Sequence, residues 1–336
     1  MKDLKGSVAL VTGGSGFVGA NVVRHLLANG VCVHLLLRPT TNRWRLSGVE
    51  PCVTVHEGDI TNPTTVRTVL RRVRPHFIVH CAMSSGHPCS PDEERNAFLV
   101  SALGTLNLLQ AALSLGVEKF VHSGSSMEYG TRSFPLAERL SLRPNTFRGL
   151  AKACAATICD YFARRHALPI VNLRLFSVYG PWEAPNRFVP TVLRAALWGG
   201  EVPLTANDAY HDFVFVGDVA DAYLKALATP LPSGSVFNIG TGKQWSNRQV
   251  VEVTARLVGR PIAVKVGAHP QHPTDTPCWV ANIDKARRLL HWQPTHELPD
   301  GLQATMEWMQ RHDRWYRKAS RAAATNNAQR SHARLP

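Results

Sequence analysis

Short apolar runs alternate with longer helical patterns through the first 180 residues of the chain. The runs lack polar alternation, as parallel strands do when helices cover both faces of their sheet. Between the first two runs, Val18, Val22 and Leu26 recur at helical spacing, and Gly30 predicts the end of that helix. This order predicts an α/β fold with a doubly wound parallel sheet (a Rossmann domain). The predicted strands lie at residues 8–11, 31–37, 53–55, 77–79, 120–121 and 170–175.

The character of the chain changes after residue 180, where proline and glycine become frequent. We therefore predict a dinucleotide-binding domain at 1–180, with segments near 211–240, notably 214–216, that return to the main sheet. Residues 181–318 are expected to form mainly a smaller, interleaved substrate-binding lobe. The last stretch, 319–336, has little apolar content and is predicted to be disordered.

Composition excludes several classes of protein. Hydrophobic residues make up 44% and charged residues 18%, as in ordinary globular proteins. The net charge is +14, but the arginines are spread along the chain, so we expect phosphate-bearing ligands and no nucleic acid. The sequence has no long apolar run and begins without a signal-peptide pattern, which predicts a cytoplasmic protein without a membrane partner. Seven cysteines without a CxxC pair predict reduced thiols, and the histidine spacings predict no metal site.

A glycine-rich turn joins the first predicted strand to the first predicted helix. Its glycines, Gly13, Gly16 and Gly19, have the spacing GxxGxxG. The first permits a tight turn, the second lets the backbone approach a pyrophosphate, and the third allows close packing of helix and strand. The phosphates of a dinucleotide would then face free N–H groups at the helix N-terminus. The flanking strand and helix make this pattern indicative of cofactor binding.

The end of the second predicted strand bears on the choice of cofactor. An acidic residue there would accept a hydrogen bond from the ribose 2′-hydroxyl of NAD, but the chain has Arg38. A guanidinium suits a 2′-phosphate, or it stacks on adenine. We therefore expect NADP to be preferred, with NAD as the alternative.

Together with this turn, motifs along residues 7–310 resemble the extended short-chain dehydrogenase/reductase family, in its nucleotide-sugar epimerase, dehydratase and ketoreductase branch. The markers include TGGSGFVG at 12–19, GTLNLL at 104–109, LRLFSVYGP at 173–181, HDFVFV at 211–216 and FNIG at 237–240. The resemblance implies NAD(P)-dependent hydride exchange at a ring carbinol or ketone, such as C4, of a sugar that is most often nucleotide-linked. It also implies a homodimer formed through the helices at 94–115 and 148–167, whose broad apolar stripes core packing alone would also give.

The resemblance also implies which residues contact each ligand. For the cofactor they are Gly13, Ser15, Gly16, Phe17, Val18, Gly19, Arg38, Asp59, Ile60, Cys81, Ala82, Ser101, Ser123, Lys152, Phe176 and Val178. For the substrate they are Ser85, Ser126, Met127, Ser177, Arg187, Phe188, His211 and His272. His211 and His272 stand where relatives commonly have arginines on the substrate diphosphate, and Arg187 is a candidate to replace them.

The family's catalytic pattern is a serine followed by a YxxxK helix, in which the lysine lowers the pKa of the tyrosine phenol. Ser125 and Lys152 fit the serine and the lysine, but the tyrosine position is occupied by Arg148. Arginine does not shuttle protons near neutral pH. Three interpretations stay open. Ser125 through water, Tyr129 or the substrate supplies the proton; Arg148 is an electrophilic clamp for a different or redox-neutral reaction on an acidic substrate; or the protein binds NAD(P) without catalysis.

Overall fold

The computed structural model describes residues 2–84, 88, 90–270 and 276–317. Its centre is a parallel sheet of seven strands, with helices on both faces. The strands are β1 (Val8–Thr12), β2 (Cys32–Leu37), β3 (Val53–Glu57), β4 (Phe77–His80), β5 (Lys119–Ser125), β6 (Ile170–Leu175), β7 (Ser177–Tyr179), β8 (Glu201–Leu204), β9 (Tyr210–His211), β10 (Phe213–Phe215), β11 (Ser235–Ile239), β12 (Trp245–Ser246) and β13 (Ala263–Val266). The seven in the central sheet are β1 to β6 and β11.

The α-helices are α1 (Phe17–Ala28), α2 (Pro63–Val73), α3 (Pro91–Phe98), α4 (Gly104–Ala112), α5 (Phe147–His166), α6 (Phe188–Trp198), α7 (Val216–Ala228), α8 (Asn247–Val258) and α9 (Leu298–Arg311). A π-helical turn, Leu99–Leu103, joins α3 to α4, and another covers Ala286–Leu290. Short 3₁₀ turns lie at Trp44–Leu46, Glu50–Cys52 and Ser126–Tyr129. The helix predicted between the first two strands is confirmed as α1, and Gly30 has the positive φ of 71° that the end of this helix requires.

The order of the central strands is β11-β6-β5-β4-β1-β2-β3. The order reverses between β1 and β4, which pair with Val11 opposite Val79. In open parallel sheets, ligands bind at the carboxyl ends of the strands where the order reverses. Apolar clusters cover both faces of the sheet and hold these ends in place. The predicted doubly wound α/β fold is confirmed.

A further apolar cluster packs α6, α8 and α9 against one another and against β10, and small two-stranded sheets pair β10 with β7, β12 with β9 and β13 with β8. One expectation about this region is wrong. Residues 214–216 do not return to the main sheet, because β10 pairs only with β7 among the described strands. The strand that does return is β11, which pairs with β6 and extends the sheet by one strand. β10 leads directly into α7, and α7 packs against α1.

Within the described ranges, no helix is both long and apolar enough to cross a membrane.

Candidate active site

The turn between β1 and α1 is compressed against the end of β4. Gly13 has a positive φ of 71°, and a Cβ there would lie 2.5 Å from the backbone nitrogen of Ala82. A Cβ on Gly19 would lie 2.1 Å from the carbonyl oxygen of Gly13. These two positions therefore require glycine, one for the close approach of β4 and one for the close approach of the helix. Cys81 completes the contact by donating its N–H to the carbonyl of Thr12 at 3.0 Å.

The amino end of α1 has the properties of an anion site. Its N-cap is Gly16, no side chain caps it, and its first turn holds no acidic residue. The residues predicted to bind the cofactor here, Ser15, Phe17 and Val18, are half-buried at this end of the helix. Free N–H groups and the positive end of the helix dipole favour a phosphate at this position. The turn therefore fits the diphosphate of a dinucleotide.

Three arginines follow β2, and the structure separates their roles. Arg43 forms ion pairs with Glu57 at 3.1 Å and Glu50 at 3.6 Å. Arg45 donates from Nε to the carbonyl oxygen of Trp182 at 2.7 Å. Arg38 is exposed, and its side chain has no hydrogen bond or ion pair with a described residue.

Beyond β3, Asp59 accepts two hydrogen bonds from Thr61, each 2.8 Å long, while the neighbouring Ile60 is buried. Asp59, which the resemblance implies as a cofactor contact, is thus held in a fixed orientation.

A buried hydrogen-bond chain lies beneath the crevice. His80 Nδ1 is 2.7 Å from the hydroxyl of Thr12, and its Nε2 is 2.9 Å from the hydroxyl of Thr105. Burial lowers the pKa of His80 to about 3, so the ring is neutral. Thr105 in turn donates to the carbonyl of Ser101, which is buried in the π-helical turn. Ser101 therefore belongs to the buried hydrogen-bond chain that supports the site.

Ser125 ends β5 at the carboxyl edge of the sheet and is fixed by a capping box. Its Oγ accepts from the backbone N–H of Met127 at 3.2 Å, and its own N–H donates to the carboxylate of Glu128 at 2.7 Å. Glu128 is fully buried and pairs with Arg174 Nε of β6, also at 2.7 Å. The Ser125 hydroxyl keeps its proton available for a ligand, and its position is set by this buried ion pair.

Tyr129 was a candidate proton donor, and the structure contradicts that role. Its side chain is fully buried, its hydroxyl donates to Asn238 Oδ1 at 2.7 Å, and it accepts from Arg174 at 2.9 Å. Burial raises the pKa of Tyr129 to about 12. The phenol therefore has neither access to a substrate nor a proton to spare.

Lys152 and Arg148 lie one turn apart on α5, whose N-cap Thr146 accepts from the N–H of Gly149. Lys152 is buried, and its Nζ donates to the carbonyl of Ser123 at 2.6 Å, two residues before Ser125. Burial lowers the pKa of Lys152 to about 8, and the cation of Arg148 acts in the same direction. The spacing of four residues thus places both cations at the end of β5.

Arg148 extends over the carboxyl edge of the sheet. Its Nη2 is 3.2 Å from Sδ of Met83, which follows β4. Burial lowers the pKa of Arg148 to about 10, and the nearby guanidinium of Arg187 contributes to the shift. Arg187, the exposed N-cap of α6, is thus close enough for its charge to act on Arg148, and two neighbouring guanidiniums favour the binding of an anion.

Aromatic and short side chains lie on the segments next to Arg187. Phe188 begins α6 and its ring is 6.1 Å from that of Phe213, which also meets His211 edge-on at 5.6 Å. His211 lies on β9, paired with Trp245 of β12. On the neighbouring segment Phe176 is buried, while Ser177 and Val178 are half-buried.

The remaining predicted substrate residues have different positions. Ser126 is buried and accepts from the indole N–H of Trp279 at 3.1 Å, so its hydroxyl is already engaged, whereas Met127 is half-buried beside it. Ser123, which was predicted to contact the cofactor, is buried, and its hydroxyl bonds to Cys81 Sγ at 3.1 Å and to Tyr223. Ser85 and His272 lie outside the described residues.

Sequence reasoning missed the residues that hold Ser125 and the turn after it. Glu128, Arg174 and Asn238 come from three different segments and form one buried network with Tyr129. The signal that could have found the first of them is the S-x-x-E spacing from Ser125 to Glu128, the pattern of a capping box.

Among the described residues, no group of three or more histidine, cysteine, aspartate or glutamate side chains could hold a metal ion.

Comparison with known proteins agrees with this geometry. Residues 9–240 match the model of the NAD-dependent epimerase/dehydratase family. The UDP-glucose 4-epimerase of Lactobacillus helveticus is 29% identical over 328 residues, which cover 91% of this chain and 98% of that protein.

Two solved structures of UDP-glucose 4-epimerases are also similar. The enzyme of Thermotoga maritima, solved with UDP-glucose, is 27% identical with a TM-score of 0.82, over 91% of this chain and 99% of its own. The enzyme of Thermus thermophilus, solved with NAD, is 29% identical with a TM-score of 0.81, over 90% of this chain and 99% of its own.

Proposed function

The chain belongs to the NAD-dependent epimerase/dehydratase family, and from this premise we propose that it is an epimerase of nucleotide-linked hexoses that acts at C4 of the sugar. The observation that carries the proposal is the meeting of an uncapped helix N-terminus with Ser125 and Lys152 at the carboxyl ends of the central strands. We propose UDP as the nucleotide, because the relatives described above are UDP-glucose 4-epimerases.

The residues present would hold NAD along the crevice. The amino end of α1 would bind the diphosphate, Asp59 the adenosine edge, and Lys152 the nicotinamide ribose. When bound, the nicotinamide supplies reversible hydride acceptance at the sugar carbon. Ser125, which its capping box holds at a fixed position, would donate a hydrogen bond to the reacting oxygen.

We assign Arg148 to the substrate. Together with Arg187 it presents two guanidiniums to one region, where they would bind a phosphate, a carboxylate or the developing oxyanion of the sugar. His211 would border the same pocket beside the Phe213 ring. Since Arg148 serves the substrate in this account, we expect Arg148→Tyr to leave the native activity no higher than in the wild type.

The position of Arg38 suits the binding of a second cofactor, NADP. It is exposed at the end of β2 and unengaged by other described side chains, as a partner for a 2′-phosphate would be. We propose that the protein accepts NADP as well as NAD, with Arg38 as the residue that makes the difference.

The proposed assembly is a homodimer formed through α3, α4 and α5. Large apolar side chains on these helices and on the residue after α4 are exposed by about two fifths or more, namely Phe98, Leu113, Leu150 and Tyr161. Light scattering during gel filtration would give the mass of the assembly, and Tyr161→Asp is expected to shift it towards the monomer.

The test of the function is incubation of the purified protein with UDP-glucose, UDP-galactose and UDP-glucuronate. We expect conversion to the C4 epimer, seen by chromatography, without net consumption of NAD. Net consumption of NADPH with a 4-keto sugar nucleotide would make the protein a reductase. Binding of cofactor without turnover of any of these sugars would make it a binding protein.

A further inference from the structure

The structure leaves the proton of the reaction without its usual carrier. The position that should hold a tyrosine holds Arg148, and a guanidinium retains its protons near neutral pH. Tyr129 is buried and hydrogen-bonded at both its donor and its acceptor. The Glu128 carboxylate forms an ion pair with Arg174 and accepts a hydrogen bond from the backbone N–H of Ser125. A C4 epimerase still has to remove and return a hydroxyl proton.

We propose that Lys152 is that carrier, so that the side chain which elsewhere would assist a tyrosine acts here as the general base and acid itself. The inference rests on the proposed function and names a catalytic residue for it. Lys152 Nζ has one hydrogen bond to a described residue, the 2.6 Å contact with the carbonyl of Ser123. A neutral amine in that position donates once to Ser123 and keeps its lone pair for a proton.

The location of Nζ suits this role. Ser123 and Ser125 are two residues apart on β5, so their Cα atoms are about 7 Å apart at the carboxyl end of the strand. In this proposal, a sugar hydroxyl bound by the Ser125 hydroxyl would reach Nζ directly or through one water, and both arrangements permit general base catalysis.

The surroundings favour the neutral amine. The titratable groups around Lys152 come from four elements. They are Glu128 of the short helix, Arg148 and Cys159 of α5, His80 and Cys81 at the end of β4, and His122 of β5. Burial has the largest effect and lowers the pKa of Lys152, the carboxylate of Glu128 raises this pKa, and the cation of Arg148 lowers it.

Both histidines are buried and neutral, because burial lowers the pKa of His80 to about 3 and that of His122 well below its usual value. Arg148 adds a positive charge one turn away, where a tyrosine would have offered a phenolate. Burial lowers the pKa of Lys152 to about 8 against the opposing charge of Glu128, and the cation of Arg148 adds to the lowering, so the replacement that removes the usual acid also favours the neutral form of its lysine neighbour.

The proton and the electron pair balance in each half of the reaction. The 4-hydroxyl would give its proton to the Lys152 amine, while a bound, oxidised nicotinamide would accept the hydrogen of C4 with its electron pair, so that the sugar carbon becomes a ketone. On return, the hydride would add to the opposite face of that ketone, and the Lys152 ammonium would give the proton back.

The decisive variant is Lys152→Arg, which keeps N–H donors for the ribose but removes the base. We expect kcat to fall by at least about 100-fold, the usual contribution of a general base, while the Kd for NAD⁺ measured by fluorescence changes by less than about fivefold. Lys119→Arg is the matched control. Lys119 is also buried and donates to a single carbonyl, that of Thr229 at 3.3 Å, but it lies at the other end of β5, so the variant should retain wild-type kcat.

A second measurement does not depend on turnover or on how the variant folds. The ¹⁵N shift of the Lys152 amine, assigned by its loss in Lys152→Gln, should titrate with a midpoint near the pKa of about 8. The acidic limb of kcat/KM should coincide with it, with activity rising as pH increases because the amine must be neutral. In Arg148→Tyr the limb should move away from this midpoint, since a phenol then takes the proton.

A Lys152→Arg enzyme that keeps its kcat, or an amine that stays protonated above pH 10, would overturn the proposal. Failure of the proposed function has a different signature. In that case the wild type itself shows neither epimerisation nor 340 nm absorbance of reduced cofactor with the three UDP-sugars, and the shuttle is rejected along with the function.

Discussion

Residues 12–19 line the crevice with backbone N–H groups and with glycines that leave no room for a Cβ. At residues 125–152 the crevice is lined by side chains, each held by a further side chain or by a strand carbonyl. The first region recognises a group that every dinucleotide contains. The second depends on which residues occupy a few positions, so a change such as arginine for tyrosine can alter the chemistry without altering the fold.

The largest effect, on the free energy of unfolding, is expected in the second region, where side chains are held by other side chains. Arg174→Met leaves the buried carboxylate of Glu128 without its partner, which should lower the free energy of unfolding by about 3–5 kcal/mol. Chemical denaturation measures this loss. Arg164→Met is the matched control, because Arg164 pairs with Asp160 at the same 2.7 Å but on the surface, and should cost less than about 0.5 kcal/mol. Equal losses would mean that the Glu128 network does not support the site.

The next effect probes the backbone region. Gly19→Ala places a Cβ 2.1 Å from the Gly13 carbonyl, so the turn must shift and NAD⁺ binding should weaken by about 100-fold. Gly48→Ala controls for the loss of a glycine, because nothing lies within 4 Å of its Cβ, although its φ of 83° adds a local strain. Calorimetric titration gives both Kd values, and unchanged binding in Gly19→Ala would refute the assigned turn.

Arg148→Met should weaken binding of the substrate without weakening binding of the cofactor. Removing one charged hydrogen-bonding group costs about 1.5–3 kcal/mol, so KM for the sugar nucleotide should rise by roughly 10- to 100-fold. The Kd for NAD⁺ should stay within about twofold, because α1 and the glycine turn are untouched. Steady-state kinetics and cofactor titration measure the pair of values. If only the Kd for NAD⁺ changed, Arg148 would belong to the cofactor site and not to the substrate site.

The smallest effect concerns the 2′-phosphate. Arg38→Ala should weaken NADP⁺ by about tenfold and leave NAD⁺ unchanged, since only NADP⁺ carries a group for this guanidinium. Arg43→Ala is the control, because Arg43 is already paired with Glu57 and Glu50. Equal affinities of Arg38→Ala and the wild type for NADP⁺ would remove Arg38 from the cofactor site.

The same division explains what the sequence could predict. The strands, α1 and the glycine turn follow from apolar runs, helical spacing and glycine positions that lie within about 30 residues of one another. The support of Ser125 could not be predicted in this way, because Arg174 and Asn238 reach it from β6 and β11. Residues 214–216 look like a buried strand from their apolar content, but whether they pair with β7 or with the main sheet is decided by tertiary packing.

The most direct test of the account is a crystal structure of the protein with NAD⁺ and a UDP-hexose. It should show the diphosphate of NAD⁺ against the amino end of α1, C4 of the sugar facing Ser125 and Lys152, and the Arg148 guanidinium within hydrogen-bonding distance of the substrate. A dinucleotide bound elsewhere, or a sugar ring remote from Arg148, would contradict it.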